Sequence, residues 1–430
     1  MPPLTVDRIE NAFLPAREIT DPARFAGRAP QVEQAYLALV SEGANIAIVG
    51  NRGIGKSSLA RQVIAISAGK TDLLVRHGIR ADASLDFLSF YLACGKDTLS
   101  IDHLLTRLLT SHDCLAGWIY HVPEAKKIVE GYSPKFSAGL FGIGVELGGE
   151  KSTETEAHSA APSADVTTVF TNVVSAMVKK DLAKNGILVV VDEFDQIRDP
   201  SGFASVLKSL ATNVPHVRFC IVGVAHDLYA LMNEHQSADR LFAGGVINLP
   251  SMTDTELAEV IGIAEASIDH EISFEDAAKA RLVALAQGHP YMVHLVGKHS
   301  LRAAWKDKRT RITTDDIDAT LRLIAASRAD PVLEARYKRA IASSPQREAV
   351  LRAMAETEKG GEVWTSDAYP VAFRVGVENP SQYVGNLVTD EYGAELVKVR
   401  DRYYRFKDSL FRAYVLARPP EYASRLEAGQ

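Results

Sequence analysis

The residues best suited to chemistry form one short glycine-rich run, Gly50-Asn51-Arg52-Gly53-Ile54-Gly55-Lys56-Ser57-Ser58. The run fits the pattern G-x-x-x-x-G-K-[ST], and it follows an apolar segment, Asn45–Val49. Glycines let backbone N–H groups wrap a phosphate, and a helix beginning there adds a favourable potential. Lys56 would reach the β- and γ-phosphates, and the Ser57 hydroxyl would bind Mg²⁺. A glycine-rich turn without a ligand is the alternative, but the strand before the run and the helix after it favour nucleotide binding.

Two adjacent carboxylates, Asp192 and Glu193, follow the apolar segment Ile187–Val191. A wholly apolar strand is buried on both faces of its sheet. Asp192 would hold Mg²⁺ through its water shell, and Glu193 would polarise the water that attacks the γ-phosphate. The alternative is that both acids are solvated residues at a strand end. Together with the glycine-rich run, which has the pattern of a P-loop, they predict an ATPase that uses Mg²⁺.

Strand and helix signals alternate around these groups, which predicts an α/β fold with a parallel sheet. The predicted strands are Asn45–Val49, Leu73–Ile79, Ile187–Val191, Val217–Val222 and Val246–Leu249, and the helical segments include Leu85–Leu109, Val166–Leu182 and Phe203–Ala211. Residues 131–165 are rich in Gly, Ser, Ala and Glu, and are predicted to be an inserted loop and hairpin with a short apolar piece at 140–145.

Helix signals replace strand signals from Thr253 onward. Thr253-x-x-Glu256 and Thr313-x-x-Asp316 each open a helix in the manner of a capping box. The predicted units are therefore a nucleotide-binding core at 1–250, a helical lid at 251–335 and a third domain at 336–430. In the third domain, the sequence predicts helices at Pro345–Ala355 and from Asn379-Pro380, followed by strands Glu395–Arg400 and Tyr403–Lys407. Helices followed by such a hairpin suggest a winged helix.

Composition limits the functional classes. The chain has 430 residues, a formal charge of −6, 47% hydrophobic residues and 24% charged residues, as in an ordinary globular protein of two or three domains. A mildly acidic chain is not expected to coat nucleic acid or an anionic membrane. The scattered Cys94, Cys114 and Cys220 indicate neither a disulfide framework nor a zinc site. We find no signal peptide or membrane span and expect a cytoplasmic protein.

The ordered set of motifs resembles the AAA+/STAND side of the P-loop ATPases, and especially bacterial and archaeal relatives of the origin-recognition ATPases. The resemblance rests on Phe25-Ala26-Gly27-Arg28 before the P-loop and on Asp192-Glu193-Phe194-Asp195 after the apolar strand. It implies an AAA+-like parallel five-stranded P-loop sheet with a helical lid and a C-terminal winged-helix domain. It also implies that Gly27 and Arg28 lie near the adenine, where Phe25 either stacks on the base or belongs to the core.

Three further positions follow from the same resemblance. Val217–Gly223 resembles the strand that bears sensor 1, but Gly223 stands where a polar residue is usual, and His226 is either a substitute or a surface histidine. Arg240 lies where relatives carry an arginine finger, although an exposed arginine at a helix end is the alternative. Gly288-His289-Pro290 resembles the G-x-P signature of STAND lids, in which Pro290 would pack by the adenine. The absence of a sensor 2 arginine fits a slow, regulated ATPase.

The hairpin of the third domain carries a cluster of cations. Strand alternation predicts an apolar face with Val397, Val399, Tyr404 and Phe406, and a basic face opposite. The basic residues are Lys398, Arg400, Arg402, Arg405 and Lys407. This face would suit the phosphates of duplex DNA, but winged helices also dock proteins.

These inferences predict an ATP-binding and ATP-hydrolysing switch that forms homo-oligomers and is coupled to DNA. Replication-initiator-like, transposition-helper and phage-defence ATPases are the examples, and an effector protein encoded nearby is a candidate partner. The alternative is a nucleotide-bound scaffold with negligible turnover, whose winged helix grips a partner protein. A small-molecule kinase is a third and weaker hypothesis, because it leaves the acidic pair and the winged helix unexplained.

Overall fold

The computed structural model describes residues 4–132, 165–223, 238–327, 330–359 and 361–421. The helices are α1 (Val6–Ala12), α2 (Ala29–Val40), α3 (Lys56–Ser67), α4 (Asp72–Arg76), α5 (Ile101–Thr110), α6 (Gly117–Ile119), α7 (Pro123–Tyr132), α8 (Val166–Lys179), α9 (Phe203–Asn213), α10 (Ala238–Leu241), α11 (Asp254–Ser267), α12 (Asp276–Ala286), α13 (Pro290–Lys306), α14 (Thr314–Ser327), α15 (Pro331–Ile341), α16 (Pro345–Glu356), α17 (Thr365–Arg374), α18 (Pro380–Leu387) and α19 (Ser409–Ala417). The strands are β1 (Ile46–Gly50), β2 (Leu88–Ala93), β3 (Ile187–Asp192), β4 (Val217–Gly223), β5 (Val246–Leu249), β6 (Ser273–Phe274), β7 (Arg311–Ile312), β8 (Val363–Trp364), β9 (Leu396–Arg400) and β10 (Tyr403–Phe406).

A five-stranded sheet in the order β2-β3-β4-β1-β5 forms the centre of the nucleotide-binding core. Every neighbouring pair in it is parallel, which confirms the predicted α/β class and sheet type. Strands β3 and β4 are buried along their whole length because helices cover both faces. One face packs against α2 and α3, and the other against α5, α8 and α9.

One of the predicted strands is wrong. Leu73–Ile79 contains the short helix α4, in which Leu73 and Leu74 are buried and Val75 is 70% exposed. The fifth strand is β2, which lies inside the predicted helix Leu85–Leu109. A short apolar run does not distinguish helix from strand by its period, whereas β2 buries Phe90 and Leu92 in the alternation typical of a strand.

The predicted capping boxes form at both helices. The Glu256 N–H donates to Thr253 Oγ1 at 3.3 Å, and the Thr253 N–H donates to Glu256 Oε2 at 2.8 Å. At α14, the Asp316 N–H donates to Thr313 Oγ1 at 3.4 Å, and Asp316 accepts from the Thr313 N–H at 2.8 Å. Each box satisfies N–H groups that the first turn of a helix leaves unpaired.

The last domain contains the predicted helices α16 and α18 and the predicted strands β9 and β10, together with a strand that was not predicted, β8. These strands form a three-stranded sheet in the order β8-β10-β9. One continuous buried cluster joins α1, the helices of 251–335 and the helices of 336–417. The proposed boundaries at 250 and 335 stay predictions.

Other sequence predictions lie outside the described residues. These are the apolar piece 140–145 and most of the 131–165 insertion, together with His226. The three cysteines are buried and unpaired. In the part of the chain that the structure describes, no helix is long and apolar enough to cross a membrane.

Candidate functional site

The glycine-rich loop connects β1 to α3 at the carboxyl end of the sheet. Gly53 and Gly55 have φ values of 72° and 98°, in the left-handed region that other residues rarely adopt. Gly55 is also the N-cap of α3 and provides no side chain to bond the first helical N–H groups. The backbone conformation and the uncapped start of α3 are those that a loop needs if its N–H groups are to bind an anion, which stays a prediction.

Lys56 reaches across this loop. Its Nζ donates to the carbonyl oxygens of Gly50 at 3.0 Å and of Asn51 at 2.9 Å. Burial lowers the pKa of Lys56, while the nearby Asp195 and Asp192 act to raise it. The ammonium group thus lies between the loop carbonyls and the carboxylates at the end of β3.

The two acids at the end of β3 are in different environments. Asp192 is 3% exposed and accepts from the Glu193 N–H at 2.7 Å and from the Tyr91 hydroxyl at 2.5 Å. Glu193 has a φ of 53°, so the chain turns sharply and the second carboxylate leaves the strand direction. Burial raises the pKa of Glu193, and the negative charges of Asp192 and Asp195 raise it further. This is the electrostatic setting of a carboxylate that accepts a proton.

These groups share a cavity of about 770 Å³, within the range of ~300–1,000 Å³ typical of small-molecule sites. The N-terminal segment, the P-loop, the β3 end and the lid all contribute to its wall. The lining residues are Leu14, Pro15, Ala16, Arg17, Glu18, Ile19, Arg24, Phe25, Ala26, Arg28, Arg52, Gly53, Ile54, Gly55, Lys56, Ser57, Ser58, Lys96, Asp192, Glu193, Asp195, Gln196, Val222, Gly223, Met252, Val260, Pro290, Tyr291 and His294.

Ser57 and Asp192 line the same cavity, so a hydroxyl and a carboxylate are available there to hold a hard cation. Among the described residues, no group of three or more His, Cys, Asp or Glu could hold a metal. This donor set fits Mg²⁺ that takes its other ligands from a nucleotide and from water.

Comparison with known proteins identifies the family. Residues 14–365 match the sequence profile of the family described as novel STAND NTPase 1, nSTAND1. The chain belongs to this family. The match confirms the predicted resemblance to STAND-type P-loop ATPases, and nucleotide hydrolysis is the general activity of NTPases. A comparison with curated proteins found no match.

Solved structures similar to this STAND NTPase include a Cdc6p protein, an ORC1 protein and a branch-migration motor. Cdc6p from Pyrobaculum aerophilum is 12% identical, with 94% of this chain and 97% of that chain covered and a TM-score of 0.43. The Aeropyrum pernix ORC1 protein, solved in complex with DNA, is 14% identical, with 93% and 94% covered and a TM-score of 0.42. The Thermotoga maritima RuvB Holliday junction branch migration motor is 16% identical, with 89% and 93% covered and a TM-score of 0.41.

Most of the predicted nucleotide-binding residues of the STAND NTPase lie together in the cavity wall. Those that line it are Phe25, Arg28, Arg52, Gly53, Ile54, Gly55, Lys56, Ser57, Ser58, Asp192, Glu193 and Pro290. Gly27, Gly50, Asn51 and Arg240 are not among the lining residues. Phe25 is 5% exposed and belongs to the core cluster of α2 and α3, so its ring lies between the core and the cavity.

Gly27 and Arg28 connect the core to the lid. The Gly27 N–H donates to Glu259 on α11 at 2.9 Å, and a Cβ on Gly27 would lie 2.6 Å from Glu256 Cγ. The Arg28 guanidinium donates to the Pro250 carbonyl at 2.7 Å and to the Ile54 carbonyl at 3.1 Å. The side chain of Arg28 therefore holds the P-loop and the end of β5.

Several residues of the site were not predicted. The segment 14–19 and the lid residues Tyr291 and His294 reach the cavity only through tertiary packing. Lys96 follows β2, and the mistaken helix prediction for that region hid its position at the carboxyl end of a strand. Tyr91 was missed for the same reason, because its place on a strand beside the acidic pair is known only once β2 is paired with β3.

The strand predicted to bear sensor 1, β4, ends at Gly223, and the residues after it, including His226, lie outside the part of the chain that the structure describes. Gly223 has no side chain, and a Cβ there would lie 3.3 Å from Asp195 Oδ1. Asp195 therefore occupies the space into which a polar residue at this position would extend. Arg240 is exposed on α10, so its role as a finger stays a prediction.

The predicted separation of apolar and basic faces in the β9–β10 hairpin is wrong. Tyr403 pairs with Arg400, but Tyr404 pairs with Lys398, so Val399 is an extra residue in a β-bulge. The bulge shifts the register by one residue and places Arg405 opposite Val397. Because directly opposite residues share a face, cations lie on both faces of the hairpin.

All five predicted basic residues of the hairpin are exposed. Arg400 pairs with Glu362 at 2.8 Å, whereas Lys398 and Arg402 lie 3.6 and 3.9 Å from Asp401. Two carboxylates thus lie among five cations, so the net charge of the hairpin surface is positive.

Proposed function

We propose that this STAND NTPase binds ATP with Mg²⁺ in the cavity at the carboxyl end of the sheet and hydrolyses it slowly as a molecular switch. The observation that carries the proposal is the convergence of Lys56, Ser57, Asp192 and Glu193 on one cavity. Phe25 and Pro290 line the same cavity and offer apolar surface to a base. No single motif would provide this combination of phosphate, cation and base sites.

The chain's own residues suggest how hydrolysis proceeds. Lys56 would exchange its bonds to the Gly50 and Asn51 carbonyls for bonds to the β- and γ-phosphates. Ser57 and Asp192 would hold Mg²⁺, which neutralises charge on the phosphates when bound. Glu193 would orient the attacking water and accept its proton. Turnover is expected to be slow because Gly223 offers no polar side chain at the end of β4.

Oligomerisation would complete the site. Arg240 is exposed and lies outside its own chain's cavity, as an arginine that serves a neighbouring subunit must. A guanidinium supplied in this way stabilises the charge of the transition state, by ~10³–10⁵-fold in rate for known arginine fingers. ATP hydrolysis would then depend on assembly into a homo-oligomer.

The output is proposed to act on duplex DNA through a winged helix. The order α16-β8-α17-α18-β9-β10 and the sheet order β8-β10-β9 support a winged helix. The exposed cations of the β9–β10 hairpin suit phosphate contacts. The third domain contacts the P-loop directly, because Leu410 on α19 packs against Gly53.

Phosphate release tests the proposal, with and without duplex DNA, together with light scattering in ATP. Glu193→Gln should lower turnover by ~10²–10⁴-fold while ATP binding persists, and the exposed Glu33→Gln on α2 is its control. Arg240→Ala should also abolish turnover, with the exposed Arg80→Ala as its control. Mixing the two inactive variants should restore activity, because Glu193 and Arg240 then act from different subunits.

A nucleotide-bound scaffold is the second candidate, and Gly223 is the observation that favours it. In that case ATP stabilises the fold, and the wing docks a protein through Trp364 and Tyr403, whose rings stack with centroids 6.1 Å apart. ATP binding by the wild type without turnover, assembly or any effect of DNA would support the scaffold and contradict the switch.

A further inference from the structure

Tyr91 lies on β2, beside the strand that carries the acidic pair. It pairs with Val190 of β3, and its hydroxyl donates to Asp192 Oδ2 at 2.5 Å. Tyr91 does not line the cavity, so it contacts the expected cation site only through Asp192. The Tyr91 hydroxyl takes no direct part in the proposed hydrolysis.

A second pair of residues holds the Tyr91 ring. The Arg61 guanidinium lies over it, with Cζ 3.4 Å from the ring centroid. Arg61 in turn donates to Glu18 Oε1 from Nε at 2.9 Å and from Nη2 at 2.6 Å. Arg61 belongs to α3, the helix that begins at the P-loop, and Glu18 lines the cavity. The face of the ring is therefore covered by Arg61, which belongs to an element of the nucleotide site.

The two hydrogen bonds to Asp192 define the orientation of its carboxylate. Oδ1 accepts from the Glu193 N–H and Oδ2 accepts from Tyr91, so each oxygen uses one of its lone pairs. The remaining lone pairs are available to water molecules of a bound cation. Loss of the Tyr91 hydroxyl would leave Oδ2 without this anchor and allow the carboxylate plane to turn. Partners of this kind typically change metal affinity by ~10–100-fold.

We propose that Tyr91 is a positioning residue for Mg²⁺ at this site, and that Arg61, held by Glu18, keeps the Tyr91 ring in place. The inference rests on the proposed function, since it requires a nucleotide and Mg²⁺ in the cavity. Tyr91 should therefore strengthen binding of the cation without changing the affinity for the nucleotide itself.

The Tyr91→Phe variant tests this assignment because it removes only the hydroxyl and keeps a ring for Arg61. The matched control is Tyr36→Phe. Tyr36 is 5% exposed and lies in the same domain, and its hydroxyl accepts from the Ala83 N–H at 2.9 Å, away from Asp192. Both variants lose one tyrosine hydroxyl with a hydrogen bond, so a merely structural effect should appear in both.

The measurement is a Mg²⁺ titration of the full chain bound to ATP that carries a fluorescent ribose label, starting in EDTA and with protein in excess. We expect Tyr91→Phe to bind labelled ATP normally without Mg²⁺ but to require ~10-fold or more Mg²⁺ for half-saturation. Tyr36→Phe should titrate like the wild type. Phosphate release by Tyr91→Phe should recover when Mg²⁺ is raised to saturation.

A second variant tests the role of Arg61. Arg61→Met should weaken Mg²⁺ binding less than Tyr91→Phe does, and the double variant should be no weaker than Tyr91→Phe alone, because both act through one hydroxyl. Equal Mg²⁺ affinity in Tyr91→Phe and the wild type, or turnover of Tyr91→Phe that saturating Mg²⁺ does not restore to the wild-type rate, would overturn the inference alone. Failure of the wild type to bind labelled ATP with or without Mg²⁺ would overturn the proposed function, and the inference with it.

Discussion

Gly53 in the P-loop lies so close to Leu410 on α19 that a Cβ on the glycine would come within 2.9 Å of Leu410 Cδ2. The last described helix thus packs directly on the loop expected to hold phosphates. Asp408 caps this helix by accepting from the Leu410 N–H at 2.9 Å, and its charge acts to raise the pKa of Lys56. Movement of α19 would therefore change both the packing and the electrostatics of the loop.

Replacing Gly53 with alanine should reveal this contact. Gly43 has the same φ of 72° and nothing within 4 Å of a Cβ, so Gly43→Ala measures backbone strain alone, at ~1–2 kcal/mol. Gly53→Ala should lower the free energy of unfolding further, because Leu410 must move. Urea unfolding of both variants gives the difference. In a Leu410→Ala background, Gly53→Ala should cost less unfolding free energy than it does in the wild type. If Gly53→Ala and Gly43→Ala lower the free energy of unfolding equally, Leu410 moves aside without a measurable cost.

The sequence alone sufficed to locate the P-loop and the acidic pair, because both depend on local chain geometry. Gly53 and Gly55 must be glycine for their backbone conformation, and Asp192 follows a strand whose every residue is apolar up to that point. The wall formed by Tyr291 and His294 depends on how the lid packs on the core, and no local pattern encodes that packing.

Register was the least predictable feature. The bulge at Val399 places cations on both faces of the β9–β10 hairpin, since a shift by one residue moves the residues beyond it to the other side of the strand. The strand β2 was missed because its residue pattern is ambiguous. Its alternation of Phe90 and Leu92 with Ser89 and Tyr91 is short, and leucines on both sides of it imitate a helical stripe.

A buried ion pair should hold α15 to the end of α19. Glu334 is 1% exposed and accepts from Arg418 Nε at 2.9 Å and from Nη2 at 3.0 Å. Glu334→Gln should lower the free energy of unfolding, by less than the ~3–5 kcal/mol expected for a buried charge left with no partner, because Arg418 keeps its ion pair with Glu421 at 2.5 Å. The matched control is Asp82→Asn in the exposed pair with Arg80, which should have little effect. If urea unfolding shows that Glu334→Gln lowers the free energy of unfolding no more than Asp82→Asn does, the expectation is contradicted.

Arg28 should affect both stability and nucleotide binding. Arg28→Met removes the donors to the Pro250 and Ile54 carbonyls and should cost ~2–4 kcal/mol in unfolding free energy. Arg218 is a matched control, because it is also buried and donates to a backbone carbonyl, that of Leu39, at 2.9 Å. Arg218→Met should destabilise the fold comparably, but only Arg28→Met should weaken binding of labelled ATP. Equal nucleotide affinities would show that Ile54 does not need this support.

His294 is partly buried in the cavity wall and should make the fold sensitive to acid. Its Nδ1 accepts from the Leu14 N–H at 3.2 Å, and its ring packs edge-on against Phe13. Burial, and to a smaller extent the positive charge of Arg24, lowers the pKa of His294 from an ordinary value of 6.5 to about 4. The unfolded chain therefore binds a proton between pH 6.5 and 4 that the folded chain does not, so stability falls as the pH falls through this window.

The loss from His294 should reach roughly 3 kcal/mol at pH 4 and vanish above pH 6.5, at ~1.4 kcal/mol per pH unit in between. His294→Asn offers an acceptor to the Leu14 N–H but cannot titrate, so its unfolding free energy should depend less on pH across the window. The control is His121→Asn, at an exposed histidine beside Trp118. Urea unfolding at half-unit pH steps gives the slopes. If His294→Asn and the wild type lose stability in parallel, protonation of His294 is not what destabilises the fold in acid.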